Sequence, residues 1–264
     1  MSGGSRGIGL AIALRAARDG AQVALLAKTA EPHPKLPGII HSACEAIERA
    51  GGQALAIVGD VRNEDDIQRA VASTVDTFGG IDVCVNNASA IDLSPTRVLA
   101  TKRFDLMHAV NVRGTFLLSR ACLAHLAESD NPHILTLSPP LNLDPRWAGD
   151  HLGYTIAKYG MSLCTLGLAD ELRPKGIAVN SLWPRTIIAT AAVQNLGEDG
   201  ILDRARMPEI MADAAHSILT RPAGDWTGNF LLDEDVLREE GVDDFDRYRA
   251  GHGEPALDLF LDGP

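Results

Sequence analysis

Ser2-Gly-Gly-Ser-Arg-Gly-Ile-Gly9, an amphipathic stretch to Asp19 and the apolar run Gln22-Val-Ala-Leu-Leu-Ala27 together decide the fold class of this 264-residue chain. Glycines at 3, 7 and 9 permit a tight turn, close backbone approach to a phosphate and close packing of the helix that follows. The N-terminus of that helix then offers unpaired N–H groups to an anion. Taken alone, Met-Ser-Gly-Gly at a chain start equally suits a flexible tail. The helix and strand that follow make it a phosphate-cradling turn. The same alternation continues downstream, with strands expected at 22–27, 54–58, 83–86, 133–138, 177–183 and 229–232. Helices are expected at 7–19, 39–50, 64–78, 102–127, 153–173 and 208–219. Right-handed crossovers turn this order into an α/β fold with a doubly wound parallel sheet, forming a single domain over 1–264.

One element of that fold is missing. A glycine turn of this type follows a strand, yet only Met1 precedes Ser2. The strand would be central, and its neighbours would lose their backbone partners without it. Two readings stand: a chain that begins further upstream, which is favoured, or a sheet closed by a gap, a substitute strand or another subunit. The tail from Asp233 reads as acidic and polar. Its end, Leu257-Asp-Leu-Phe-Leu261, is apolar and expected to dock on the body or on a second subunit.

Composition narrows the function classes. Apolar residues make up 45% of the chain, enough for a substantial core, and the net charge of −11 argues against a nucleic-acid or anionic-membrane partner. Local dipoles and a few cations still suffice to hold an anionic cofactor. No stretch is long and apolar enough to span a bilayer, and no signal peptide is evident, so the expected location is the cytoplasm. Cys44, Cys84, Cys122 and Cys164 fit no metal spacing and read as reduced thiols. The eight histidines form no ligand set, so no metal is expected.

Tyr154-Thr-Ile-Ala-Lys158 carries the chemistry. A tyrosine and a lysine four apart share a helix face. A neighbouring ammonium favours the phenolate, which brings the phenol toward use as a general acid/base. By itself the pair is weak, since a solvated helix face explains most such spacings. Its place in one domain with a phosphate-cradling turn gives it weight.

The glycine turn, Asp60-Val61, Asn86-Asn-Ala-Ser89, Asn111, Tyr154-x-x-x-Lys158 and Asn180-Ser-Leu-Trp-Pro184 together resemble the short-chain dehydrogenase/reductase family over nearly the whole chain. Within it, Ala27–Pro37, Leu137–Asn142 and Tyr154–Met161 resemble a narrower branch. The resemblance implies a Rossmann-type three-layer sandwich and carbonyl–alcohol interconversion with a nicotinamide cofactor. Tyr154 would move the substrate proton, Lys158 would lower its pKa and hold the cofactor ribose, and Asn111 would join a water relay through a local backbone distortion. Gly3, Ser5, Arg6, Gly7, Ile8 and Gly9 would line the pyrophosphate, and Asp60 and Val61 the adenine. Asn87, Ala88, Ser89, Pro184 and Thr186 would border the rest of the cofactor.

Cofactor choice follows from residues. NAD-preferring sites place an acid at the end of the second strand. Here the stretch is Leu26-Ala27-Lys28, and Lys28 with Arg6 offers positive charge to a 2′-phosphate, so NADP is expected. His33 and Lys35 are weaker candidates for the same role.

Three positions depart from the family pattern. Ser89 stands where glycine is usual. Pro184-Arg185 replaces Pro-Gly, and Arg185 could face the site or solvent. Most important, Thr136-Leu-Ser138-Pro139-Pro140 puts proline at the usual active-site serine, so Ser138 is the only nearby substitute. A strand would point it to the opposite face unless the prolines twist the chain. This leaves a rival reading, a nucleotide-binding or interaction protein with weak or no turnover. The segment 187–207 is expected to cover an apolar small-molecule carbonyl or alcohol. His151 could line the same pocket but reads more simply as a loop residue. Long helices near 102–127 and 153–173 would build a homo-oligomer, a tetramer by family resemblance.

Overall fold

The structure, a computed structural model, describes residues 1–31, 38–197, 200–224 and 226–262. His33 and Lys35 lie outside these. In chain order the elements are α1 (Gly7–Ala17), β1 (Gln22–Ala27), α2 (Ile40–Arg49), β2 (Gln53–Val58), α3 (Glu64–Phe78), β3 (Val83–Asn86) and α4 (Thr101–Met107). A π-helical turn (His108–Arg113) then leads into α5 (Gly114–Leu126), β4 (His133–Thr136), α6 (Pro145–Gly149), α7 (Leu152–Leu172) and β5 (Ala178–Trp183). The last elements are α8 (Ala191–Gln194), α9 (Glu209–Thr220), β6 (Phe230–Leu232) and α10 (Asp233–Glu239).

All pairings between these strands are parallel. β2 pairs with β1, and β3, β4, β5 and β6 pair in that order. Side chains alternate across the sheet as strand geometry requires. Val85, Leu135 and Leu182 face a core shared with α1, α9 and α10. Cys84, Ile134 and Val179 face the opposite core, shared with α3, α5 and α7. The result is the expected three-layer sandwich.

The two sets of strands meet through Met1 and Ser2. Ser2 bridges in parallel to Leu26 of β1 on one side and to Asn86 of β3 on the other. Leu26 N–H donates to Met1 O at 2.9 Å, Ser2 N–H to Val85 O at 2.9 Å and Gly3 N–H to Leu26 O at 2.9 Å. The Met1 ammonium donates to Ala24 O at 2.7 Å, and burial lowers its pKa. Two residues thus tie the carboxyl ends of β1 and β3, where the glycine turn needs support.

Three expected elements come out differently. The helix expected over 102–127 is interrupted at His108–Arg113, where Asn111 turns its amide onto the backbone of Ala90. The strand expected to 138 ends at Thr136, because Ser138 N–H folds back to Thr136 O at 2.9 Å and two prolines follow. The tail that reads as polar contains α10, in which Asp233, Glu234, Val236 and Leu237 are buried. Composition hides that helix because its buried Glu234 is paired by Arg206 at 2.8 Å and Arg238 at 2.6 Å.

Candidate active site

The glycine turn begins at the carboxyl end of the central sheet. Gly3 adopts φ +71°, and a Cβ there would meet Ala88 Cα at 2.9 Å. At Gly9 a Cβ would meet Asn87 Nδ2 at 2.5 Å and Gly3 O at 2.8 Å. Both positions need glycine because two backbones touch there. Gly9 therefore lies behind the cleft and brings α1 against the turn. Ser2 and Asn87 lock the arrangement. Ser2 Oγ accepts from Asn87 N–H at 3.2 Å and Ala88 N–H at 3.1 Å, while Asn87 Nδ2 donates to Gly3 O at 2.8 Å. Ser2 as an anchor of the turn is not read from the sequence, although its place as the residue before the first glycine marks it.

A cleft of about 1080 Å³ runs from this turn across the sheet to α7. Gly3, Ser5, Arg6, Gly7 and Ile8 line one end, with Lys28, Asp60 and Val61 beside them. Asn87, Ala88, Ser89, Tyr154, Lys158 and Pro184 line its middle and far end. The backbone cradle, the start of α1 and this length fit a dinucleotide. Lys28 Nζ lies 3.9 Å from Asp60 Oδ2 and is largely exposed. Asp60 is bidentate with Arg62, whose guanidinium holds its pKa below the usual carboxylate value. Arg6 donates to Gly38 O at 3.0 Å, and its partial burial lowers its pKa.

Tyr154 and Lys158 are both buried, 6% and 2% exposed, one turn apart on α7. Lys158 Nζ donates to Leu137 O at 2.6 Å and lies 4.8 Å over the Trp183 ring. Burial lowers its pKa to about 7, against a raising influence from Asp258. Tyr154 moves the other way from the expectation. Burial, then the Asp258 carboxylate, raises its pKa. The lysine's ammonium is spent on Leu137 and Trp183, and the buried phenol keeps its proton at neutral pH.

Besides Gly9, three expected site residues do not line the cleft. Ser138 is buried and its Oγ bonds Ser181 Oγ at 2.8 Å, on the far side of the turn that ends β4. The prolines do twist the chain, but what reaches Lys158 is the Leu137 carbonyl. Asn111 accepts from Ala90 N–H at 2.7 Å and donates to Ala90 O at 3.0 Å, which commits its amide. The expected backbone distortion is present as the π turn around it. Thr186 pairs its backbone with Leu257, and its buried hydroxyl has no hydrogen-bond partner among the described residues. Arg185 faces neither site nor open solvent, reaching Asp235 at 2.6 Å and Glu234 at 3.7 Å.

Of the segment expected to cover the substrate, Ile187, Ile188, Val193, Leu196 and Met207 line the cleft. A second wall comes from the chain's far end. Leu257, Asp258 and Leu259 line the cleft, and Phe260 is fully buried behind Tyr154. Its ring lies 5.2–6.2 Å from those of Tyr159, His151, Trp183, Trp147 and Tyr154. His151 thus supports this ring cluster. The apolar pattern of 257–261 signals docking, but nothing in it signals that Asp258 would reach the cleft.

Residues 1–200 match the model of the short chain dehydrogenase family. The chain is 56% identical over 264 residues to hydroxysteroid dehydrogenase-like protein 2 of Danio rerio, covering 100% of this chain and 63% of that protein. It therefore spans less than two thirds of the curated relative. Among solved structures, a short chain dehydrogenase from Mycobacterium thermoresistibile superposes with TM-score 0.94 at 59% identity, covering 100% of this chain and 94% of that one. A metagenomic short-chain oxidoreductase in complex with NADP superposes with TM-score 0.71 at 26% identity, covering 88% and 94%.

Proposed function

The chain belongs to the short-chain dehydrogenase/reductase family, and from that premise we propose that it is an NADP(H)-dependent oxidoreductase interconverting a carbonyl and an alcohol on an apolar small molecule. The observation that carries this reading is the placement of Tyr154 and Lys158 at the far end of a cleft that begins at the glycine turn. NADP, when bound, supplies or accepts the hydride. Gly3, Ser5, Arg6, Gly7 and Ile8 would hold its phosphates, with Asp60 and Val61 at the adenine. Lys28 and Arg6, with no acid at the end of β1, favour the 2′-phosphate form. NADP in the more distant metagenomic oxidoreductase agrees.

Tyr154 donates its proton to the substrate oxygen in reduction and recovers it in oxidation. Its raised pKa keeps the phenol protonated, the form that donates. Lys158, carried on Leu137 O, stands ready for the cofactor ribose. Asn111 contributes through the π turn rather than through its amide. Leu93, Leu106, Leu196, Met207 and Met211 give the cleft an apolar character that suits an apolar substrate.

The same reading includes a homo-oligomer, a tetramer by preference. Exposed Ile156, Leu163 and Leu166 on α7, with Phe116 on α5, support an interface between copies. Among the described residues no helix is long and apolar enough to cross a membrane. Four free thiols agree with a reducing compartment, the cytoplasm in this reading.

The test pairs NADPH and NADH titrations with a screen of ketones, aldehydes and alcohols. Turnover with NADPH, lost in Tyr154→Phe with NADPH affinity kept, is the expected result. Cofactor binding without turnover over the whole panel would overturn it.

A further inference from the structure

Position 139 leaves the substrate end of the cleft one donor short. The family resemblance implies a carbonyl-polarising serine there, whereas proline has neither a hydroxyl nor an N–H. Ser138 gives its hydroxyl to Ser181. The segment 256–261 instead brings a carboxyl group, that of Asp258, to the wall of the cleft that Tyr154 also lines. That segment is fastened along its length. Ile187 N–H donates to Ala256 O at 2.9 Å and Asp258 N–H to Arg185 O at 3.0 Å. Trp183 Nε1 donates to Leu259 O at 3.0 Å and Asn142 Nδ2 to Phe260 O at 3.2 Å. Asp258 Oδ1 accepts from Leu259 N–H at 2.7 Å, which fixes the carboxyl plane. Oδ2 has no hydrogen-bond partner among the described residues.

We infer that Asp258, as a neutral carboxylic acid, is the second hydrogen-bond donor to the substrate oxygen, beside Tyr154, and takes the part of the absent serine. The inference rests on the oxidoreductase reading above. Asp258 transfers no proton: the substrate oxygen takes its proton from Tyr154, and Asp258 keeps its own. The carboxyl's surroundings favour the neutral form, since burial raises its pKa to about 7 against the opposing pull of Lys158. Lys158 and Tyr154, both on α7, are the titratable groups that feel its charge. Trp183 at the end of β5 and Pro184 after it line the same cleft, while Arg185 turns its guanidinium away to Asp235 and Glu234. A neutral Asp258 also removes the repulsion its carboxylate exerts on a developing Tyr154 phenolate. A tyrosine and a carboxylic acid kept neutral by apolar surroundings form the oxyanion site of ketosteroid isomerase, so the chemistry has a precedent on another fold.

The test has two arms on the full chain. In the first, the protein is labelled with carboxyl-¹³C aspartate and titrated with and without Asp258→Asn, which separates Asp258 from the similarly raised Asp233. One resonance, absent in the variant, should titrate near pH 7. A midpoint in the ordinary carboxylate range, about 4, overturns the inference whatever the turnover. In the second, carbonyl reduction with NADPH is followed against pH. Asp258→Ala should lose about 100-fold in kcat. Asp258→Asn, which keeps an N–H donor, should recover at least about tenfold of that loss and abolish Asp258's share of the fall in rate above pH 7. Equal rates for the Ala and Asn variants, or an Ala variant as fast as the parent, overturn the assignment. A parent chain that reduces nothing in the panel overturns the oxidoreductase reading itself, and this inference with it.

Discussion

At the glycine turn the wall of the cleft is mostly backbone, drawn from residues 2–9 and 86–89 and held by close contacts that only glycine allows. At Tyr154 the wall is mostly side chains, gathered from Leu137, the first two turns of α7, the end of β5 and residues 257–259. The first end takes a phosphate chain in the function proposed above, and its geometry is fixed by sterics. The second is built by packing, so its chemistry changes when one loop residue does. The departures at Pro139 and Arg185 both fall at this second end. A cleft of this kind keeps its cofactor while its substrate changes.

The largest effect that could break this contrast is on turnover. Tyr154→Phe should reduce kcat by about 10³-fold and leave the NADPH dissociation constant within about twofold. A variant that keeps most of its activity would place the proton transfer elsewhere. Phe260→Ala should come next, with a loss of about 3–5 kcal/mol in unfolding free energy, because a fully buried ring leaves a cavity among five others. Loss of activity should accompany it at temperatures where the fold survives. Unchanged activity would mean that 256–261 packs against the site without shaping it.

At the other end, Gly9→Ala should cost about 1–3 kcal/mol and weaken cofactor binding, since the new methyl must displace Asn87 and the Gly3 carbonyl. Denaturant unfolding and a fluorescence titration would read both. Lys28→Ala should weaken NADPH about tenfold and NADH hardly at all. Equal losses for the two cofactors would remove the 2′-phosphate from the argument.

The smallest effect is a pH dependence near Arg185. Asp233 Oδ1 accepts from Arg185 N–H at 2.8 Å, and burial raises the Asp233 pKa from 3.8 to about 7. A carboxyl raised on folding stabilises most when protonated, below its unfolded pKa, and that contribution is lost as pH rises through about 7. Asp233→Asn imitates the protonated form. Its melting temperature should therefore gain on the parent as pH rises from 4 to 8. A difference that stays flat with pH would show that Arg185 and Arg206 fully compensate the ionised group.

The same contrast explains what the sequence makes legible. β1, β3 and α3 begin and end where the apolar runs and glycines place them, because strand alternation and turn chemistry are local. Gly3, Ser5, Arg6, Gly7 and Ile8 line the cleft for the same reason. Ser138 does not, because the fold-back after Thr136 depends on two prolines acting together. The break at Asn111 depends on a partner, Ala90, that is remote along the chain. Asp258 is hidden most deeply. An acid in an apolar tail reads as solvent-facing until packing shows that Phe260 buries and carries it inward. The raised pKa of Tyr154 is hidden too, since spacing places it one turn from Lys158 but shows neither its burial nor the Asp258 carboxylate that raises it further.

Phe260 holds a backbone angle, φ +72°, that side chains other than glycine rarely adopt. Its cluster of five rings holds it in that conformation. The strands among the described residues all precede residue 233, so the sheet and the glycine turn are encoded before the residues that wall off Tyr154. One end of the cleft is thus written early in the chain, and part of the other depends on a late, strained segment finding its seat among the rings.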